Sequence, residues 1–256
     1  MGKTVVVANQ KGGVGKTTTT VNLSACLALA DQDVLVIDTD PQGNLSSGLG
    51  ISREDLSKSI YNVFTGELSL ADAVCETQIP HLYIAPSTID LLAVEVELIN
   101  REEREKTLCR AIAEIRDRYR FILIDCPPSL GLLTLNGLVA ADSIIVPVQC
   151  EYYSLEGLSL LTRTMKLVRS SFNPGLEIEG ILLTMFDARN TLSIQVANEV
   201  RRHFGEKVYK TFIPRNVTLG EAPSHGKPAI LYDPRSRGAQ SYLALAKEIL
   251  HEGSVR

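Results

Sequence analysis

Glycines, a lysine and two threonines are packed into one stretch near the start of the chain, Gly12-Gly13-Val14-Gly15-Lys16-Thr17-Thr18. Glycines let backbone N–H groups converge on an anion, and a helix opening at the same place adds positive potential. In that chemistry Lys16 reaches β- and γ-phosphates and the Thr17 hydroxyl ligates Mg²⁺. The usual loop carries a further glycine at the place held here by Gln10. A second lysine, Lys11, stands at the loop entrance instead. A lysine there points away from the phosphates of its own loop, which directs it to a second subunit's nucleotide. The plainer reading is a glycine-rich strand-to-helix turn, but Gly-Lys-Thr follows a strand at the offset that phosphate binding requires.

Carboxylates add the second half of the chemistry. Asp125 ends the apolar run Phe121-Ile122-Leu123-Ile124, as an aspartate that positions Mg²⁺ does. Asp38 and Asp40 follow Val34-Leu35-Val36-Ile37. Two apart on an extended chain, they point the same way. Asp40, nearer the turn at Pro41, is the better group to orient an attacking water, and Asp38 supports the Mg²⁺ shell. The bland alternatives are a strand-end turn for Asp125 and a cap before Pro41 for the pair.

These residues need a scaffold that delivers them to one edge. Apolar runs at 5–7, 34–37, 81–86, 120–124, 143–148, 179–184 and 207–213 predict strands. Helical patterns are expected at 16–29, 90–119, 130–140, 154–171, 192–204 and 237–251, with loops and short helices over 45–79. The charge run from Arg101 to Lys106 then reads as a solvated helix face. Alternation of this kind predicts an α/β fold: a doubly wound, mostly parallel sheet with helices on both faces, in a single domain over 1–256. Ligands bind such sheets at the carboxyl ends of the strands, where the glycine loop, Asp38, Asp40 and Asp125 all fall.

Composition narrows the class. A hydrophobic content of 45% and a charged content of 22% are ordinary for a globular chain of 256 residues. Net charge is −4, yet Met185 to Lys247 holds ten Lys/Arg against five Asp/Glu, a local +5. A basic C-terminal third on an acidic protein is a binding face for polyanions. Arg189, Arg201, Arg202, Lys227, Arg235, Arg237 and Lys247 are the residues offered to DNA. Taken singly, each is an ordinary surface charge. The five cysteines have no metal spacing, and Cys26 and Cys126 read as buried thiols in a reducing cytoplasm. No apolar run is long enough to span a membrane, no leader precedes the first strand, and the closing residues through Arg256 do not form a convincing membrane-surface helix.

The motifs together resemble a known family. Lys-Gly-Gly-Val-Gly-Lys-Thr-Thr, Lys11 to Thr18, looks like the deviant Walker A loop of the ParA/MinD class of P-loop ATPases. Asp38-Thr39-Asp40-Pro41-Gln42-Gly43-Asn44 resembles its switch I, and Ile124-Asp125-Cys126-Pro127-Pro128 its Walker B and switch II. Pro214-Arg215-Asn216-Val217 through Glu221-Ala222-Pro223-Ser224-His225-Gly226 is similar to the C-terminal signature of Soj-like chromosomal ParA proteins. The resemblance implies ATP and Mg²⁺ as cofactors and an ATP-sandwich homodimer in which Lys11 crosses to the partner's phosphates. It implies slow hydrolysis stimulated by a ParB-like protein, non-specific double-stranded DNA binding and a cytoplasmic, nucleoid-associated location. By the same resemblance Pro214 and Asn216 contact adenine, and Arg189 matches a DNA-binding position. Two other readings remain: a membrane- or pole-associated MinD-like positioning ATPase, and a metabolic enzyme coupling ATP to amidation or redox chemistry. The first calls for a terminal amphipathic helix and the second for cluster cysteines or an added catalytic domain. No helix-turn-helix precedes the loop, which argues against a plasmid-type autorepressor.

Overall fold

The computed structural model describes residues 2–52, 56–152 and 154–252. Seven strands form one sheet: β1 (Lys3–Val7), β2 (Val34–Asp38), β3 (Cys75–Glu76), β4 (Leu82–Ala85), β5 (Phe121–Asp125), β6 (Ser143–Gln149) and β7 (Glu177–Thr184). Around them lie α1 (Lys16–Ala28), α2 (Asn44–Gly48), α3 (Ile60–Thr65), α4 (Leu70–Ala73), α5 (Val94–Glu97) and α6 (Thr107–Ala113). There follow α7 (Leu132–Ala140), α8 (Ser154–Ser171), α9 (Thr191–Phe204), α10 (Thr218–Glu221), α11 (Ala229–Tyr232) and α12 (Arg237–Glu252).

The spatial order is β3-β4-β2-β5-β1-β6-β7, parallel throughout except for the edge strand β3. From β1 the chain moves to one side, returns as β5 between β2 and β1, and leaves on the other side through β6 and β7. That reversal opens a crevice at the carboxyl ends of β1, β2 and β5. Register completes the placement: Val7 and Asp38 both stand opposite Asp125.

Alternate strand residues feed two cores. Val6, Leu35, Ile37, Ile122, Ile124 and Ile144 face one side, under α3, α7, α8 and α9. Val5, Val7, Val34, Val36, Leu123 and Ile145 face the other, under α1 and α12. A period of two with both faces apolar is what a covered parallel sheet requires. The expected doubly wound sheet is therefore the observed fold.

Two expectations fail. The stretch 90–119 is not one helix: a 3-10 turn (Ile89–Ala93) runs into α5, and Glu103 sits at φ 52, a left-handed geometry that a helix interior does not admit. The charge run there makes specific contacts, with Arg101 Nη1 donating to Phe64 O at 2.7 Å and both Lys106 and Arg110 paired to Glu103. The stretch 207–213 is not a sheet strand either. Tyr209 N and Ile213 N donate to Ile181 O and Leu183 O at 3.0 and 2.8 Å, tacking the segment to β7 at isolated points. α12 ends the described part of the chain, and Gly253–Arg256 of the expected tail lie outside the described residues.

Candidate functional site

Between β1 and α1 the loop needs backbone geometry that only glycine takes without strain. Gly13 and Gly15 stand at φ +71 and +89, and Gly15 is the N-cap of α1. Two side chains outside the loop fix it. Thr184 Oγ1, at the end of β7, donates to Val14 O at 2.9 Å. Asn9 Nδ2 donates to Pro147 O on β6 at 2.7 Å, while Asn9 Oδ1 accepts from Lys11 N at 3.0 Å. Lys16 folds back over the loop and its Nζ donates to Lys11 O at 3.3 Å. Burial lowers the Lys16 pKa, and the charges of Asp125 and Asp40 oppose that shift.

Beneath the loop sits Asp125, fully buried. Thr17 Oγ1 donates to its Oδ2 at 2.7 Å and Thr20 Oγ1 to its Oδ1 at 3.1 Å. Burial pushes the Asp125 carboxyl up to about 8, with the Asp38 charge adding to the rise, against the hydroxyl hydrogen bonds and Lys16. Asp38, also at zero exposure, is pushed up to about 6 by burial. Its Oδ2 accepts from Ser46 N and Ser46 Oγ at 2.9 and 2.7 Å, and its Oδ1 from Asp40 N at 3.2 Å. Asp38 thus pins the loop that follows β2.

β2 ends at Asp38, and Thr39 N still donates to Asp125 O at 3.0 Å, so the contact with β5 runs on towards Asp40. Asp40 follows just before the turn at Pro41, with its Oδ1 accepting from Gln42 N at 2.9 Å, and borders an open cavity with Pro41, Pro127 and Pro128.

A second cavity, of about 250 Å³, continues from the glycine loop. Gly15, Thr18, Pro214, Asn216 and Tyr242 line it. Asn216 Oδ1 is buried without a hydrogen-bond partner among the described residues. That oxygen is turned into the protein, where a Cβ added at Gly238 would lie 2.9 Å from it. A threonine hydroxyl, two buried carboxylates and a base pocket one loop away fit Mg²⁺ with a nucleotide, since Mg²⁺ takes oxygen donors from one or two carboxylates plus phosphates.

Lys11 lies at the mouth of the loop, and its Nζ stands 3.3 Å from Glu151 Oε2. Of the basic residues expected to meet DNA, Arg189 and Arg237 line one cleft together, joined by Arg215. Arg201 lines a separate cavity with Lys210 and Glu248. Arg202, Lys227, Arg235 and Lys247 border neither cavity. Cys26 and Cys126 are buried thiols, their pKa pushed up to about 12 by burial.

Sequence reasoning missed Thr20, Thr184, Asn9 and Tyr242. Thr20 had a signal, being one helical turn after Thr17 on the same face. Thr184 and Tyr242, the latter 3.1 Å from the Thr19 hydroxyl, are brought in only by tertiary packing.

The chain is similar to known proteins over its whole length. The family model of an AAA domain matches residues 2–178. The sporulation initiation inhibitor protein Soj of Bacillus subtilis is 55% identical over 253 residues, covering 99% of this chain and 100% of its own. A chromosome-partitioning ATPase Soj from Treponema pallidum is 51% identical over 256 residues, with 100% of both chains covered. Among solved structures, a cobyrinic acid a,c-diamide synthase from Mycobacterium smegmatis with bound ADP and magnesium superposes with a TM-score of 0.87 at 37% identity, covering 100% of this chain and 97% of that one. At more than half identity from end to end, the protein belongs to the ParA/Soj family of chromosome-partitioning P-loop ATPases.

Proposed function

We propose that the chain works as one P-loop ATPase domain over 1–256 that partitions a chromosome or plasmid. ATP-bound protomers pair into a sandwich dimer, the dimer holds double-stranded DNA without regard to sequence, and hydrolysis stimulated by a ParB-like protein releases it. The observation that carries this reading is the Thr17–Asp125 hydrogen bond of 2.7 Å under the glycine loop. It joins the two motifs whose chemistry is nucleotide hydrolysis.

In this reading the backbone of Gly12 to Thr18 cradles the phosphates and Lys16 neutralises their charge. Thr17, Asp125 and Asp38 hold Mg²⁺, which supplies charge neutralisation across the phosphates. Asp40 orients the attacking water, and Lys11 of one protomer serves the phosphates bound by the other. Pro214 and Asn216, which line the cavity beside the glycine loop, hold adenine. The basic residues of the C-terminal third, Arg189, Arg201, Arg202, Lys227, Arg235, Arg237 and Lys247, face DNA phosphates. The protein then works on the nucleoid in the cytoplasm. No helix among the described residues is long and apolar enough to cross a membrane.

The test is ATP turnover by the purified protein, alone, with random duplex DNA, and with DNA plus a ParB-like protein. Slow turnover that rises only when both are present supports the reading. Fast turnover indifferent to both contradicts it.

A further inference from the structure

Six residues, Cys126 to Gly131, join Asp125 to the first residue of α7. Their near end is fixed: Asp125 O accepts from Thr39 N at 3.0 Å and from Thr39 Oγ1 at 2.6 Å. Their far end is held from outside the helix. Gly131, the cap residue of α7, has no side chain, and no acidic residue stands in the first turn. Instead Leu132 N donates to Glu95 Oε1 at 2.8 Å, across 37 residues of chain. A carboxylate there satisfies an N–H that the helix itself leaves open, at the positive end of its dipole.

The approach is close enough to need a glycine. A Cβ added at Gly131 would collide with Glu95 Oε1 and lie 3.2 Å from Glu95 Cδ. Gly131 stands at φ −77, so what it supplies is room and not left-handed backbone. Glu95 is itself well placed, because Leu91, Val94 and Leu98 around it are buried in the same core as Leu133 of α7. Glu97 on the same helix is engaged elsewhere, the Tyr61 hydroxyl lying 3.1 Å from both its oxygens.

Between its two fixed ends the loop is stiff. Pro127 and Pro128 lock φ and bring no N–H, and Ser129 O accepts from Thr134 Oγ1 at 2.6 Å. A shift at Leu132 is therefore carried back along the loop and not absorbed by it. It would be felt in the open cavity of about 300 Å³ lined by Asp40, Pro127, Pro128 and Glu95.

We propose that Glu95 is a positioning residue for ATP hydrolysis. From α5 it fixes the far end of the loop that follows Asp125, and so keeps Pro127 and Pro128 at the spacing from Asp40 that the attacking water requires. It touches no nucleotide, so its loss slows turnover and leaves ATP binding to the glycine loop. The inference rests on the reading of Asp40 given above.

Phosphate release by the full chain is measured over a range of Mg-ATP concentrations, well below the Tm recorded for each variant. Glu95 is exposed, so Glu95→Ala should lower Tm by under about 4 °C. It should lower kcat about fivefold or more and change KM, which tracks ATP binding when chemistry is slow, by under about twofold. Glu95→Gln keeps an acceptor oxygen and should restore kcat to within about twofold. Gly131→Ala should repeat the loss, and the double variant with Glu95→Ala should be no worse than either alone, since both break one contact. Glu97→Ala should change kcat by under about twofold. A kcat unmoved by Glu95→Ala overturns the proposal, as does a loss that glutamine fails to repair, one matched by a rise in KM, or losses that add in the double variant. Asp40→Ala is assayed beside them. If it hydrolyses ATP normally, the reading of Asp40 falls and takes the inference with it; if it is inactive while Glu95→Ala is normal, the inference alone falls.

Discussion

Lys11 is engaged within its own protomer: its Nζ lies 3.3 Å from Glu151 Oε2, just beyond the carboxyl end of β6. A lysine that serves the partner's phosphates has to leave this carboxylate when the dimer forms. Both side chains are partly exposed, so the pair contributes about 0.2–1 kcal/mol. Two such pairs are released per dimer, so Glu151→Gln should tighten ATP-dependent dimerisation by roughly two- to thirtyfold at low salt and less at high salt. Sedimentation of the Asp40→Ala background reads this out. A dimer constant unmoved by Glu151→Gln means that the pair does not restrain Lys11.

Lys16 and Asp40 separate binding from turnover. Lys16→Ala removes the charge over the loop and should abolish ATP binding in a fluorescent-nucleotide assay. Asp40→Ala should bind ATP and fail to hydrolyse it. Tight binding by the first variant refutes the loop assignment, and normal turnover by the second moves the water-orienting role to another group.

Gly12 has room inside its own protomer. An added Cβ would lie no closer than 3.9 Å to its nearest neighbour, Pro128 Cβ, and no left-handed φ is required. Gly12→Val should therefore fold and bind ATP but stay monomeric, because the methyl groups stand where two loops meet. Normal dimerisation of this variant in light scattering places the subunit contact elsewhere.

The buried aspartates make the metal-free, nucleotide-free protein sensitive to pH. Burial raises the Asp125 carboxyl to about 8. The folded protein then binds a proton that the unfolded chain releases near pH 4, so the stability from this group is fully present in acid and is lost as pH rises to about 8. Asp125→Asn carries no charge there. In EDTA its Tm relative to the unsubstituted protein should climb between pH 5 and 8, by about 2–4 °C for each kcal/mol of stability recovered. A pH-independent difference means that Asp125 is not held protonated by its surroundings.

The chemistry at the strand ends was legible because each group is announced locally. Gly13 and Gly15 carry left-handed backbone, Lys16 opens a helix, and Asp125 closes an apolar run. The residues that steady the site were not, since Thr184 reaches Val14 across the fold and Asn9 reaches β6. The stretch 207–213 misled because its apolar residues do pack on β7, with backbone bonds at isolated points only. The stretch 90–119 misled because its polar pattern conceals the left-handed turn at Glu103.

In the proposed function, nucleotide switches the protein onto DNA. A mobility shift of random duplex with the Asp40→Ala protein, with and without Mg-ATP at two salt concentrations, tests it most directly. The expected shift requires ATP, ignores sequence and weakens steeply as salt rises. ATP-bound dimers that leave DNA unshifted at low salt would contradict it.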